Sequence, residues 1–156
     1  MKRSDRRATE YPVERCSHEY LPLILEMYDT FFPEAVTQGL PPIGVAARTA
    51  WIGKLLDTGD NFVVRVEGRV IGHAALIPDM TRKDGEYLVF VGRPARKSGV
   101  GSALTRAAVK RAGELGLHTV WLTVDADNMR AVMLYRKFGF EFTDTASWER
   151  KMDLKI

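Results

Sequence analysis

Cysteine is almost missing from this sequence: Cys16 is the single one among 156 residues. One thiol excludes an internal disulfide framework and fits a reducing cytoplasm. No partner or nucleophile motif surrounds Cys16, which reads as a small residue at the edge of a strand. Long apolar runs are lacking too. Stretches such as Ala74 to Ile77 are far short of the ~20 residues a bilayer-spanning helix needs, so no membrane partner is expected. The first residues, Met1-Lys2-Arg3-Ser4-Asp5-Arg6-Arg7, are charged and lead into no apolar segment. They are therefore not a secretory signal, and residues 1–10 read as a flexible tail. Histidine is sparse: His18, His73 and His118 are scattered without the ligand spacing of a Cys/His/Asp site, so no metal is expected.

What remains is ordinary globular material, 46% hydrophobic and 28% charged, with no repeat or linker to divide residues 1–156 into more than one domain. The net charge of +3 lies largely in the first seven residues and around Arg93, Arg96 and Lys97. The first cluster lacks interleaved aromatics or a binding motif, which excludes nucleic acid as the expected partner. The second asks for a local cause, and a phosphate-bearing ligand supplies one.

Periodicity and punctuation order the chain. A short strand is expected over Val13–Cys16 and a helix over Glu19–Tyr28, started near Pro22. A loop follows over Phe32–Pro42, and a second helix over Arg48–Leu56. Phe62–Val66 and Val70–Leu76 form a hairpin around Glu67-Gly68-Arg69. Met80–Gly85 is a polar connection to a strand at Tyr87–Val91. From Gly99 to Leu115 the apolar residues Val100, Leu104, Ala108 and Ala112 recur on one helical face, closed by Gly116. Thr119–Val124 is a strand, Asn128–Phe138 a helix closed by Gly139, and Phe140–Phe142 and Trp148–Leu154 are the last strands. The fold class is α/β: a mixed, mostly antiparallel twisted sheet of six to seven strands with about four helices. Tyr87 to Val124 is its one parallel, right-handed crossover.

The segment Val91-Gly92-Arg93-Pro94-Ala95-Arg96-Lys97-Ser98-Gly99-Val100-Gly101-Ser102 joins a strand to the long helix. A helix start leaves backbone N–H groups without partners and carries the positive end of the helix dipole. Glycines at 99 and 101 remove Cβ atoms from the approach to those donors, and Arg96 and Lys97 add charge, which together suit a phosphate or diphosphate. A Walker loop is excluded because Ser102-Ala103 follows Gly101, and a dinucleotide fingerprint because Leu104 stands where its third glycine belongs.

Arg96-Lys97-Ser98-Gly99-Val100-Gly101 resembles the Arg/Gln-x-x-Gly-x-Gly/Ala signature of the GNAT superfamily of N-acetyltransferases. The downstream segment from Asn128 through Ala131, Leu134, Tyr135 and Lys137 to Gly139-Phe140 is similar to that superfamily's Asn-x-x-Ala-x-x-Leu-Tyr-x-Lys-x-Gly-Phe. The likeness covers roughly Phe62–Phe142. One departure stands at Arg93, where members often carry proline; here the proline is Pro94. The resemblance implies a GNAT-like fold, acetyl-CoA as cosubstrate, and a primary amine as acceptor attacked directly in a ternary complex. It implies that the backbone of Val89, Phe90 and Val91 lies along the pantetheine, with Val91 N–H polarising the acyl carbonyl. The N–H groups from Arg96 to Ser102 would hold the diphosphate, with Asn128 beside the pantetheine and Tyr135 near the sulfur. A homodimer through the C-terminal strands follows by family analogy alone.

Two side chains are the catalytic candidates. Tyr135, seven residues from Asn128 on nearly the same helix face, is read as general acid to the departing thiolate; its other reading is a packed core aromatic. Glu86, at the start of the strand expected to flank the acyl group, is read as the base that deprotonates the amine or as an exposed strand-end residue. His73 is the other candidate base. Arg136 and Lys137 read as solvated face. Asp29, Glu34, Asp79 and Asp84 read either as the border of an acceptor cleft, which would suit a cationic amine, or as solvated loop carboxylates. The alternative to an enzyme is a noncatalytic acyl-CoA-binding module, which would have no use for a thiolate acid at Tyr135.

Overall fold

The computed structural model describes residues 10–29, 42, 44–95, 98–143 and 149–156. The strands are β1 (Glu14–Cys16), β2 (Asp60–Val66), β3 (Arg69–Asp79), β4 (Asp84–Val91), β5 (Thr119–Asp125), β6 (Glu141–Phe142) and β7 (Glu149–Lys155). The helices are α1 (Leu21–Tyr28), α2 (Val45–Thr58), α3 (Val100–Glu114) and α4 (Met129–Lys137), with short 3-10 turns at His18–Tyr20 and Arg93–Ala95. One mixed sheet runs in the order β1-β2-β3-β4-β5-β7-β6, antiparallel except for β4 against β5. The expected α/β fold and its crossover through α3 are therefore present. The expected loop over Phe32–Pro42 falls, apart from Pro42, outside the described residues, as do Arg96, Lys97 and Trp148.

Local chemistry accounts for the turns. Glu67 and Gly68 both have positive φ, 52° and 78°, which is the backbone of a two-residue turn matched to strand twist. The second hairpin is tighter than the polar connection expected from sequence. Asp79 Oδ1 accepts the N–H groups of Thr81 and Arg82, a side-chain turn that lets pairing resume at once, Asp79 with Asp84 and Pro78 with Gly85. β4 thus begins at Asp84 rather than Tyr87.

Alternation along the strands divides the core between the two faces of the sheet. On one face Tyr87, Val120, Leu122 and Val124 pack beneath α3 and α4, with Leu104, Ala108, Val132 and Tyr135. On the other, Val63, Val70 and Phe90 pack beneath α1 and α2, with Ile24, Tyr28 and Ile52. α3 lies close on β3: a Cβ at Gly72 would stand 2.5 Å from Val100 Cγ1 and 2.8 Å from Leu104 Cδ1. This fixes the height of α3 above the sheet and so the position of its first turn.

Candidate active site

The site begins as a fork in the sheet. β4 pairs with β3 along its whole length, but with β5 only at Asp84↔Thr119, Gly85↔Val120 and Glu86↔Trp121. From Tyr87 onward the β5-facing edge of β4 has no strand partner, although β5 itself stays paired with β7 from Thr119 to Asp125. Gly92 N–H donates to Ile71 O on β3. By the alternation of an antiparallel ladder, Phe90 and Leu88 also turn their backbone groups to β3, whereas Tyr87, Val89 and Val91 turn theirs into the fork. Of the three strand residues singled out in the sequence, Val89 and Val91 therefore offer free backbone, and Phe90 belongs to the ladder.

The strand leads through the 3-10 turn at Arg93–Ala95 into α3. Gly99 caps the helix in the left-handed region, φ 92° and ψ 0°, and no side chain caps it. Ala103 N–H reaches Gly99 O, so the N–H groups of Val100, Gly101 and Ser102 precede the first helical bond. Ser98 Oγ donates to Ala95 O, tying down the turn. The two glycines have different causes. A Cβ at Gly99 would meet nothing within 4 Å, so its positive φ is the requirement there; a Cβ at Gly101 would stand 3.1 Å from Leu134 Cδ2. Gly101 is small to admit α4, not to clear a path for an anion.

Lys137, expected on a solvated face, donates from Nζ to Ser102 Oγ at 3.2 Å. An ammonium at the positive end of a helix is electrostatically misplaced unless an anion shares the spot. No carboxylate pairs with Lys137 among the described residues. Helical position alone gives no signal of this in the sequence; the packing of Leu134 on α4 against Gly101 on α3 brings the exposed Lys137 to Ser102.

Asn128 caps α4, its Oδ1 accepting Ala131 N–H at 3.2 Å. Its carboxamide oxygen is thus committed to the helix, and its NH2 group has no partner among the described residues. Tyr135 is 8% exposed and lies edge-on to Phe140 at 5.8 Å between centroids. Burial pushes its phenol up to about 12. Among the described residues its hydroxyl has no hydrogen-bond partner. The neighbouring Tyr87 hydroxyl is held by Thr105 Oγ1 at 2.9 Å, and Thr105 in turn donates to Gly101 O.

Glu86 closes the fork. It is half-buried, burial raises its carboxyl above the usual range, and it makes no ion pair or hydrogen bond among the described residues. It lines a cleft of roughly 750 Å³ with Ile77, Met80, Asp84, Trp121 and Lys151, on the face that α1 and α2 cover further along. Of the other acidic residues, Asp79 and Asp84 line this cleft, Asp29 pairs with Arg48 at 3.0 Å, and Glu34 lies outside the described residues.

His73 is walled off. It is 1% exposed, with Nδ1 2.7 Å from Tyr28 Oη and Nε2 2.8 Å from Asn61 Oδ1. Asn61 spends its NH2 on Leu55 O and Gly59 O, so its oxygen faces the ring. Nε2–H must donate to that oxygen and Nδ1 must accept from Tyr28. Burial lowers the imidazole to about 4. Its lone pair is occupied and distant from solvent, which is the environment of a structural polar link.

Cys16 is partly buried, and burial pushes its thiol up to about 12, the state of an inert thiol. No group of metal-ligating side chains occurs among the described residues. No helix among them is long and apolar enough to cross a membrane.

Comparison with known proteins decides the family. The model described as "Acetyltransferase (GNAT) family" matches residues 21–140. The chain belongs to the GNAT family. Among curated relatives, the mycothiol acetyltransferase of Saccharomonospora viridis is 33% identical over 123 residues, which is 72% of this chain and 39% of that protein. That of Pseudarthrobacter chlorophenolicus is 54% identical over 54 residues, 35% of this chain and 17% of the relative. This GNAT chain thus spans well under half the length of the mycothiol acetyltransferases it matches. The L-methionine sulfoximine/L-methionine sulfone acetyltransferase of Pseudomonas aeruginosa is 29% identical over 131 residues, covering 79% of this chain and 76% of that protein. In fold the chain is similar to a phosphinothricin acetyltransferase from Sinorhizobium meliloti in complex with AcCoA, with a TM-score of 0.78 at 20% identity over 95% of this chain and 89% of the other. It is also similar to an N-acetyltransferase from Staphylococcus aureus Mu50, at 0.75 and 22% over 94% and 99%.

Proposed function

We propose that this GNAT chain transfers an acetyl group from acetyl-CoA to a primary amine by direct attack within a ternary complex, as a cytoplasmic enzyme without a metal. The observation that carries this is the fork. A strand edge with free backbone at Val89 and Val91 among the described residues runs from the start of α3, where no side chain caps the helix, to the carboxylate of Glu86, which has no partner among the described residues. The free N–H groups of Val100, Gly101 and Ser102 fit a diphosphate, as does Lys137, with Arg96 and Lys97 adjoining in the sequence. The edge of β4 suits an amide-bearing arm laid down as an extra strand, a form of β-augmentation. Asn128 has its NH2 group to offer the same arm.

Within the fork, Val89 is a better donor to the acyl oxygen than the Val91 expected from family resemblance. Val91 stands five residues beyond Glu86, roughly 17 Å along an extended strand, too far for one acyl group to serve both. Val89 is about 10 Å away on the same scale, a gap that a glutamate side chain and one water span. Glu86 takes the proton of the attacking amine; its raised carboxyl makes it a better base than an exposed glutamate. The amine nitrogen adds to the acyl carbon while the C=O electron pair moves onto the oxygen facing Val89 N–H, and collapse of this tetrahedral oxyanion breaks the C–S bond, the electron pair leaving on sulfur.

Tyr135 donates to that sulfur. A phenol near 12 is fully protonated at neutral pH, but complete transfer to a thiolate of ordinary basicity (pKa about 8.5) is uphill by about 5 kcal/mol. Its contribution is therefore a hydrogen bond to developing negative charge, which strengthens as the bond breaks.

The test is calorimetry with CoA and acetyl-CoA, followed by thiol release against a panel of amines. Micromolar binding with amine-dependent release supports the reading. Binding without release would make the chain an acyl-CoA-binding module, and no binding to well-folded protein would end both readings.

A further inference from the structure

The cleft at the closed end of the fork has a charge pattern that restricts what enters it. Its lining holds Asp79, Asp84 and Glu86 against Arg82 and Lys151, three carboxylates and two cations, a net charge of −1. Four of these five are already engaged. Asp79 accepts two backbone N–H groups of its own turn, and Arg82 Nε lies 3.3 Å from Asp84 Oδ2. Lys151 Nζ lies 3.8 Å from Asp153 Oδ1 and 5.3 Å from the centroid of the Trp121 ring. Glu86 alone is without a partner among the described residues, and it stands beside Trp121 as the last facing pair of the parallel ladder. The remaining lining is apolar: the Trp121 ring, Ile77, Pro78 and Met80, the last 45% exposed.

We propose that the acceptor is a monoamine on an uncharged, flat apolar body, an arylalkylamine, whose ring lies along Trp121 and Met80 while its single ammonium faces Glu86. The inference rests on the acetyl-transfer reading above and narrows its acceptor. One unpaired carboxylate takes one ammonium. A free α-amino acid would bring a second carboxylate among three, with both local cations already paired, and like charges at such a site are costly. A polyamine would bring further ammonium groups to carboxylates that are already satisfied. The Trp121 ring holds the Lys151 ammonium in the free protein, so its π-face is of the kind that accepts cations and flat apolar groups.

The experiment compares three acceptors with acetyl-CoA on the full chain: 2-phenylethylamine, L-phenylalanine, which adds only a carboxylate, and n-propylamine, which lacks the ring. Expected is a kcat/KM for 2-phenylethylamine at least tenfold above either of the others. The Trp121→Ala variant should raise KM for 2-phenylethylamine about tenfold more than it raises KM for n-propylamine, and leave the CoA-induced thermal shift unchanged. Equal or better turnover of L-phenylalanine, or no preference for the ring, overturns the acceptor class while leaving acetyl transfer standing. Absence of any CoA-induced shift, with no thiol release from any amine, overturns the transfer reading and this inference with it.

Discussion

Glu86 and Tyr135 lie on opposite faces of the sheet. Glu86 precedes Tyr87 on β4, and Tyr87 points into the core beneath α3 with Tyr135, so Glu86 points the other way into the cleft beside Trp121. The fork between β4 and β5 opens between them. An amine deprotonated by Glu86 would add to one face of the acyl carbonyl, and the tetrahedral intermediate would expel the thiolate toward Tyr135, so the group that takes the proton and the group that meets the sulfur do not compete for one space.

Tyr135→Phe isolates the hydroxyl. Because that group has no partner among the described residues, its removal should leave the thermal midpoint within a degree or two. The turnover number should fall by about 10²-fold with the KM for acetyl-CoA nearly constant. Steady-state kinetics with a melting curve reads both; unchanged turnover would return Tyr135 to the core.

Glu86→Gln should reduce kcat/KM by about 10²–10⁴-fold and remove the acid limb of the pH profile. Burial raises the Glu86 carboxyl, so the limb in the native protein should lie above the usual glutamate range. Activity should decline as pH falls through it. A variant that keeps the same acid limb places the base elsewhere.

Lys137→Met should weaken CoA about tenfold in calorimetry, and the lost portion should be the salt-sensitive one. Ser102, its partner, keeps its backbone N–H in either case. Affinity that does not change would make the lysine a surface contact.

His73 predicts how stability follows pH. Its folded pKa, about 4, lies below the ordinary imidazole value of 6.5, so between these limits the unfolded chain binds more protons. Stability from this group is complete above pH 6.5 and is lost as pH falls toward 4 and below, by about 3 kcal/mol in total. Urea titrations at pH 7 and pH 4.5 measure the difference, and His73→Gln should flatten it.

Gly72→Ala should cost about 1–3 kcal/mol, because the added methyl would meet Val100 and Leu104 at 2.5 and 2.8 Å. Its cofactor affinity should fall as well, since α3 must lift. Chemical denaturation together with CoA calorimetry checks the pair of effects.

Much of this was legible in the residues, for identifiable reasons. α3 and α4 announce themselves by helical spacing and by Gly116 and Gly139, both at positive φ. Gly99 and Asn128 mark where those helices start. The fork was not legible, because where two parallel strands part is set by what holds each on its other side, here β3 and β7. Lys137 reads as surface by helical position alone; only the packing of α4 on α3 turns it toward Ser102. His73 looks like a base until Tyr28 and Asn61, 45 and 12 residues away, are seen to occupy both nitrogens. The acceptor is the least legible, since its cleft gathers residues from β3, β4, β5 and β7 with no common spacing.

The contact between position 101 and Leu134 couples two parts of the molecule that look separate in the chain. A methyl at position 101 would press on Leu134 Cδ2 at 3.1 Å, and Leu134 is the chain neighbour of Tyr135. The start of α3, where the nucleotide end would anchor, and the helix that carries the phenol therefore meet at one contact.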